Sequence, residues 1–506
     1  MSENKNIIIW HRRDFRIQDN KALHEASKIT SNTYPVFVID PFFFRNNRET
    51  CDDRIIFMFE CLNDLNKQYN ELGTKLNILY GNSVEKLQEY SRKINADVFF
   101  NNDTNFLFGM KRDIQARKLS NFKGFDNDAI IRDFNINTRS NWSEYCAKYF
   151  NSEILYCKLD QITKNNNPDE ISFKEIIDNF NIRKTKRQVP IGGRNKALQR
   201  LEKFCDQISK YPKNISKPYY SELYTSRLSA YLSFGCLSTK EVYQRIDRIP
   251  GHSREKQFYI SRIFWNQHFT QKLQDFPLAV EKPVNPFFEE KNPYSNDKKL
   301  QEKFFEGKTG YPLIDASVRA LTSTGFINFR MRAMIASFFC HILKQDWKIG
   351  ADWMHYHLID ADTAINYEQW QMQAGLIGVH PLRIYNPTKQ ILDNDKDLKF
   401  IHKYLKELQT VNDINLISEP WKNDKEIERK FSVIIGKDYP YPIVDFSEEA
   451  KITRQFFKDN KADIRKALGL PEIQTRASLS KKVSNSHKKK KKEKKDLNKK
   501  LDSYFK

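Results

Sequence analysis

The seven cysteines of this 506-residue chain, at positions 51, 61, 146, 157, 205, 236 and 340, are scattered and form no C-x-x-C pair. That spacing argues against a disulfide framework and against a zinc or iron–sulfur site, and it suits a reducing cytosol. The G-x-G-x-x-G and P-loop turns are missing from the first half, so a Rossmann-type grip on a dinucleotide is not expected there. Nowhere do roughly 18 apolar residues run together, and the start MSENKNIIIW has no basic region followed by a signal-length apolar segment. A soluble, cytoplasmic protein with no membrane association is therefore expected. Acid is in deficit: the formal net charge is +21, of which twelve lysines against three acids between Lys481 and Lys506 supply +9 and leave +12 for the rest. With 39% hydrophobic and 13% aromatic residues, a body this basic can fold and favours a polyanionic partner, nucleic acid first.

At this length two or three domains are expected. NIIIW (Asn6–Trp10) suits a buried parallel strand, and VFVID (Val36–Asp40), LNILYG (Leu76–Gly81) and ADVFFNN (Ala96–Asn102) repeat the pattern. Between them lie helical stretches from Lys21, over Ile55–Leu72 and over Val84–Arg92. Alternating β and α elements over residues 1–150 predict an α/β domain with a parallel sheet covered on both faces. Residues 151–190 are polar, lack sustained apolar periodicity and read as an interdomain linker. From 191 to 470 the period is helical, with Leu198, Leu201, Phe204, Cys205 and Ile208, then Val318 and Leu321 before a stop at Gly325, then Met331–Leu343. This half is predicted to be all-α. From 471 to 506 the chain turns Lys- and Ser-rich, with KKKKKEKK at Lys488–Lys495, and is expected to be a disordered tail.

Gly307–Pro387 stands out in the helical half. Trp347, Trp353 and Trp370 occur there together with Arg332, Asp360, Asp362 and Asn366. Buried polar groups are costly without partners, so this mixture marks a held ligand that is planar and polar. Taken alone, TSRLS (Thr225–Ser229) reads as an ordinary helix cap and Asp360-Ala361-Asp362 as a solvated turn. The apolar helix before that turn and Trp370 after it favour burial.

WHRRDFRIQDNKAL (Trp10–Leu23), TSRLSAYLSFGCLS (Thr225–Ser238), GKTGYPLIDA (Gly307–Ala316), IDADTAINYEQWQ (Ile359–Gln371), RIYNP (Arg383–Pro387) and YPYPIVD (Tyr439–Asp445) together, in this order, resemble the photolyase/cryptochrome flavoproteins. The resemblance reaches to about residue 450 and implies an α/β domain followed by a helical domain holding non-covalent FAD. It places Tyr211, Thr225, Ser226, Arg227, Leu228 and Ser229 at the flavin nucleotide's phosphates, where hydroxyls and N–H groups at a helix start form an anion site. It places Asp360, Ala361 and Asp362 beside the isoalloxazine, with Arg332 as counter-charge to Asp360. Asn366 falls opposite the flavin N5, as in typical repair photolyases. A neutral amide there adds no second negative charge beside an anionic reduced flavin. Trp370 and Trp347 match the inner members of the family's electron-transfer chain. The surface member falls on Tyr294, where Trp is usual, and a tyrosyl radical forms only with loss of its proton.

On the substrate side the resemblance implies a cavity for a flipped pyrimidine dimer. Trp265 matches one wall, and Met372 stands where the second wall is usually Trp. Arg262 replaces a common Glu, and Phe329 and Ala333 replace a common Asn and Met. Arg330 and Arg383 match arginines near the DNA strand, and Lys389 and Lys403 extend the basic rim. No histidine lies between Asn328 and Ala333, which favours the cyclobutane dimer over the (6-4) product. The family often carries an antenna chromophore, a folate or deazaflavin, whose identity NNDTNFLFGMKRD (Asn101–Asp113) does not give. Leu501, Tyr504 and Phe505, with Asn498 before them, have the spacing of peptides that dock on DNA sliding clamps. The expected function is light-dependent repair of cyclobutane pyrimidine dimers in damaged DNA, by a monomeric carbon–carbon lyase using reduced FAD and no metal. The alternatives are a cryptochrome-like blue-light photoreceptor and a DNA-binding flavoprotein that has lost repair.

Overall fold

The computed structural model describes residues 5–30, 32–44, 50–104, 109–133, 138–157, 169–379 and 382–479. Five strands form in the first half: β1 (Asn6–His11), β2 (Thr33–Ile39), β3 (Asn77–Tyr80), β4 (Ala96–Asn101) and β5 (Phe122–Phe125). All pairs are parallel, in the order β3-β2-β1-β4-β5, with Ile8 opposite both Tyr34 and Val98. β5 is absent from the sequence-based expectations, because FKGF is four residues long, sits at the edge and contains a glycine that weakens any strand pattern.

A parallel sheet needs both faces covered, and β1 shows it: Ile7, Ile8 and Ile9 are fully buried and Trp10 nearly so. Ile8 and Trp10 pack outward with Leu87 and Tyr90 of α3 (Ser83–Ile94). Ile7 and Ile9 point the other way, into a core shared with Leu23 of α1 (Lys21–Ser27), Leu62 and Leu65 of α2 (Asp52–Glu71), and Leu201, Phe204, Tyr231 and Phe264 of the second half. The sheet thus docks onto the helical half through one of its faces. Its strand order reverses between β1 and β4, and open α/β sheets receive ligands in the crevice at such a reversal.

The stretch read as a linker is not structureless. α4 (Phe173–Asn179) forms within it, started by a capping box between Ser172 and Glu175, and Ile176 is fully buried. Further on, Arg187 donates to the Leu321 and His357 carbonyls at 3.0 and 2.7 Å and pairs with Asp53 at 3.5 Å, stitching α2 to the helical half.

Beyond residue 190 the described residues form helices and turns, with only two isolated bridges. Those that matter for the site are α5 (Ser229–Ser233), α6 (Ser253–Asp275), α7 (Pro312–Thr324), α8 (Phe329–His341), α9 (Trp347–His357) and α10 (Thr363–Gln373). α7 ends where Gly325 takes φ +68°, a left-handed cap that glycine adopts without strain. The tail begins later than expected. α11 (Pro471–Ala477) buries Ile473 and Ala477 in the main core, and Arg476 lies 4.3 Å from the Phe276 ring centroid. Pro471–Leu479 contains no lysine, and its apolar side chains extend the core up to Leu479, itself buried. The lysine-rich segment, with Asn498, Leu501, Tyr504 and Phe505, lies outside the described residues. Among the described residues no helix is long and apolar enough to cross a membrane.

Candidate functional site: a nucleotide cavity between sheet and helices

The crevice at the end of β1 and β4 opens into a cavity of about 850 Å³ walled on its other sides by α5, α6, α8 and α10. That volume is at the upper end for small-molecule sites. Eight arginines and five aspartates line it, with no lysine or glutamate, so the surplus charge favours an anionic ligand.

Asp360 and Asp362 sit in the turn between α9 and α10. Arg332, on α8, donates from Nη2 to both Asp360 oxygens at 2.8 and 3.0 Å and from Nε to the Ile327 carbonyl. Asp362 caps α10 by accepting from the Ile365 N–H. Its other oxygen accepts from Arg13 at 3.0 Å, and Arg13 also donates to the Ser233 carbonyl at 2.9 Å. Burial works against the Arg13 charge, but Asp362 and Asp103 outweigh it and hold the pKa above its ordinary value. Arg54, from α2, donates to the Ala361 carbonyl at 2.7 Å; burial and the nearby Arg13 charge bring its pKa down to about 10. Two arginines of the sheet domain therefore hold the acid turn of the helical domain.

The approach of the halves is close. The Phe15 N–H donates to the Phe234 carbonyl and Arg16 to the Gly235 carbonyl, and a β-carbon on Gly235, whose φ is +67°, would overlap the Arg13 carbonyl. Arg13 and Arg54 escape a sequence reading, since WHRRDFRI around Arg13 gives only a charged turn, Arg54 lies in an ordinary helical stretch, and nothing local says what either reaches.

Asn366, on α10, is buried and lines the cavity. Its Nδ2 donates to the Ala351 carbonyl at 2.9 Å, which fixes the amide and leaves Oδ1 as an acceptor. In the TSRLS segment, Arg227 takes φ +52° and its guanidinium lies 3.6 Å from the Phe326 ring centroid. Thr225 donates to the Ser221 carbonyl and Ser226 accepts from Tyr259, so those hydroxyls are engaged within the protein. Leu228 is buried, Ser229 is exposed, and Tyr211 lines the cavity with its phenol pKa raised by burial.

The structure brings Tyr211, Thr225, Ser226, Arg227, Leu228, Ser229, Arg262, Trp265, Arg330, Arg332, Asp360, Asp362, Asn366, Trp370, Met372 and Arg383 around one cavity. It does not bring Ala361, Trp347 or Tyr294 there. The Ala361 side chain is buried and its carbonyl is taken by Arg54 and Ser233. Trp347 is buried with its ring edge-on to Tyr367 at 6.4 Å. Tyr294 is half-buried, and its hydroxyl donates to the Ala374 carbonyl.

Trp370 meets Phe339 edge-on at 5.9 Å and leans on α9, where a β-carbon at Gly350 would fall 2.5 Å from its Cζ3. Gly350→Ala is therefore expected to cost about 1–3 kcal/mol by overpacking and to tilt the indole. Thermal unfolding and near-UV circular dichroism measure both. An unchanged melting temperature and tryptophan signal would show that the indole does not depend on that gap.

Whether a flavin nucleotide suits these residues can be judged from the cavity wall. Trp370 Nε1, Gln373 Oε1, Arg262 Nε and Arg330 Nε are buried polar atoms without a protein partner, and all four residues line the cavity. Buried donors and acceptors without partners cost free energy, so a polar ligand that satisfies them stabilises the fold. A planar group with polar edges, carried on an anionic chain, fits.

A parallel-sheet domain closed against a helical domain around such a cavity defines a nucleotide-cofactor protein in which the helical half holds the cofactor. Residues 7–125 match the family model described as DNA photolyase, and residues 259–459 match that described as the FAD binding domain of DNA photolyase. The two matches together take in more than half of the chain, and it belongs to the photolyase/cryptochrome family. It is 28% identical to a deoxyribodipyrimidine photo-lyase of Buchnera aphidicola, over 91% of this chain and 98% of the relative. It is 25% identical to a cryptochrome DASH of Synechocystis, over 89% of this chain and 97% of that one. Among solved structures, the fold matches a bacterial class III photolyase from Agrobacterium tumefaciens with a TM-score of 0.79, at 24% identity over 91% and 98% of the two chains. An archaeal photolyase from Sulfolobus tokodaii, solved with two FAD molecules, matches with a TM-score of 0.76 at 26% identity, over 90% and 100% of the chains.

Proposed function

We propose that the protein repairs cyclobutane pyrimidine dimers in DNA by a light-driven, redox-neutral cleavage, with reduced, non-covalent FAD in the cavity. The observation that carries this reading is Asn366: a neutral amide, buried and fixed by Ala351, lines the cavity between Asp362 and Trp370 on one short stretch of chain. When bound, reduced FAD supplies an excited electron that opens the cyclobutane ring of the dimer and is then taken back.

The residues do the rest. Arg332 and Arg13 neutralise Asp360 and Asp362, so the acid turn adds little net charge beside an anionic cofactor. Arg227 and Tyr211 hold the phosphates. Arg262, Arg330 and Arg383 line the same cavity and receive the DNA backbone at its mouth. Burial of the ring site excludes water from the reacting centre. A second chromophore in the sheet domain is part of this reading, supported by the two FAD molecules of the Sulfolobus tokodaii protein.

A photoreceptor without repair is the second reading, favoured by Arg262 and Met372 on the substrate side and by the cryptochrome DASH relatives. Purified, reduced protein is mixed with a dimer-containing oligonucleotide and kept in blue light or darkness. Dimer loss in the light alone is expected. Intact dimer with flavin bound and reduced would exclude repair and leave the photoreceptor and the flavoprotein that has lost repair.

A further inference from the structure

Phe329 is the first residue of α8 and is 42% exposed, yet it lines the cavity. Its backbone is fixed by Asn328, which caps α8 through the Met331 N–H at 3.1 Å and donates to the Ile215 carbonyl at 3.0 Å. The guanidinium carbons of Arg330 and Arg262 lie 5.3 and 5.9 Å from its ring centroid. One turn along α8, Ala333 lines the same cavity with the smallest of side chains and leaves room beside the ring. Met372, on α10, also lines the cavity, but a flexible thioether chain offers no flat face. An aromatic ring left half in solvent between two arginines contributes little to the core. At the mouth of a cavity that receives displaced bases, the same ring is a stacking platform.

We propose that Phe329, not Met372, is the second flat wall of the substrate cavity, facing the pyrimidines together with Trp265. This rests on the DNA-repair reading given above. Trp265 is itself held by stacking on Phe269 at 5.4 Å, so both walls stand on fixed supports.

The test measures binding of the full-length, flavin-loaded protein to two oligonucleotides of one sequence, with and without a dimer, by fluorescence anisotropy. Phe329→Ala is expected to reduce the preference for the dimer about five- to hundredfold, the range for loss of one base-stacking ring. Phe329→Leu, which keeps apolar bulk without a π face, should lose as much, and Phe329→Trp should retain the preference. Met372→Ala should change it less than either loss variant. Flavin absorbance and affinity for the undamaged strand should stay constant, which separates stacking from misfolding. A wild-type preference that survives in Phe329→Ala and Phe329→Leu, or a larger loss in Met372→Ala, overturns the proposal and leaves the repair reading standing. Absence of any preference in the wild-type protein overturns both.

Discussion

Arg332→Leu is expected to lose about 3–5 kcal/mol of stability and most of its bound flavin. The Asp360 side chain is only 4% exposed, and Arg332 is the residue that donates to both of its oxygens. Leucine removes that counter-charge and leaves a largely buried carboxylate without the donor to both of its oxygens. Part of the loss is softened by Arg54 and Arg227, whose charges also act on Asp360, so the lower end of the range is favoured. Even that is a large share of the roughly 5–15 kcal/mol by which domains are stable. The loss of the Nε bond to the Ile327 carbonyl adds to it and loosens the segment that leads into α8. A double variant, Arg332→Leu with Asp360→Leu, separates the two effects. Replacing both partners of a buried pair by apolar groups is near neutral for stability, so urea unfolding should recover, while flavin content should not. Unchanged stability and flavin content in the single variant would show that the pair is incidental to both fold and cofactor.

The contrast between Arg332 and Arg13 shows what local sequence carries and what it does not. Arg332 and Asp360 are 28 residues apart, one on α8 and the other just beyond α9, within a stretch already marked by its mixture of tryptophans and charges. Arg13 and Asp362 are 349 residues apart, and only the docking of the sheet on the helices brings them together. The fold divides in the same way. β1 is legible because Ile7, Ile8 and Ile9 form an unbroken apolar run, and the end of α7 because Gly325 stops a periodic helix. α4 was readable as well, from the Ser172–Glu175 capping box, but a single short cap among polar residues does not stand out from a linker. β5 and α11 depend on partners distant in sequence: four residues against β4 in one case, and Phe276 beneath Arg476 in the other. Tyr294 illustrates the limit for single side chains. The resemblance assigned it a position in a chain of aromatics, but its exposure and its bond to Ala374 follow from packing alone.

That bond leads to the last expected result: Trp370→Phe should bring photoreduction of bound flavin down to the background rate, whereas Tyr294→Phe should barely change it. Both variants are measured by flavin absorbance under blue light with a thiol reductant present. Indole yields an electron without breaking a bond, and Trp370 lines the cavity at 2% exposure with its Nε1 unpaired in the protein. Phenylalanine preserves most of the packing against Phe339 and Gly350 but cannot be oxidised at an accessible potential. Tyr294 is different. Its phenol must release a proton on oxidation, and the group that accepts its hydrogen bond is the Ala374 carbonyl, a weak base. Burial raises the phenol pKa further, with Cys340 and Asp346 adding to the effect. Removing that hydroxyl therefore costs about 1 kcal/mol of stability through the lost hydrogen bond and leaves electron supply untouched. Repair by chemically reduced protein should survive both substitutions, because a redox-neutral cleavage consumes no electron from outside. Photoreduction as slow in Tyr294→Phe as in Trp370→Phe would return the phenol to the electron path despite its tether.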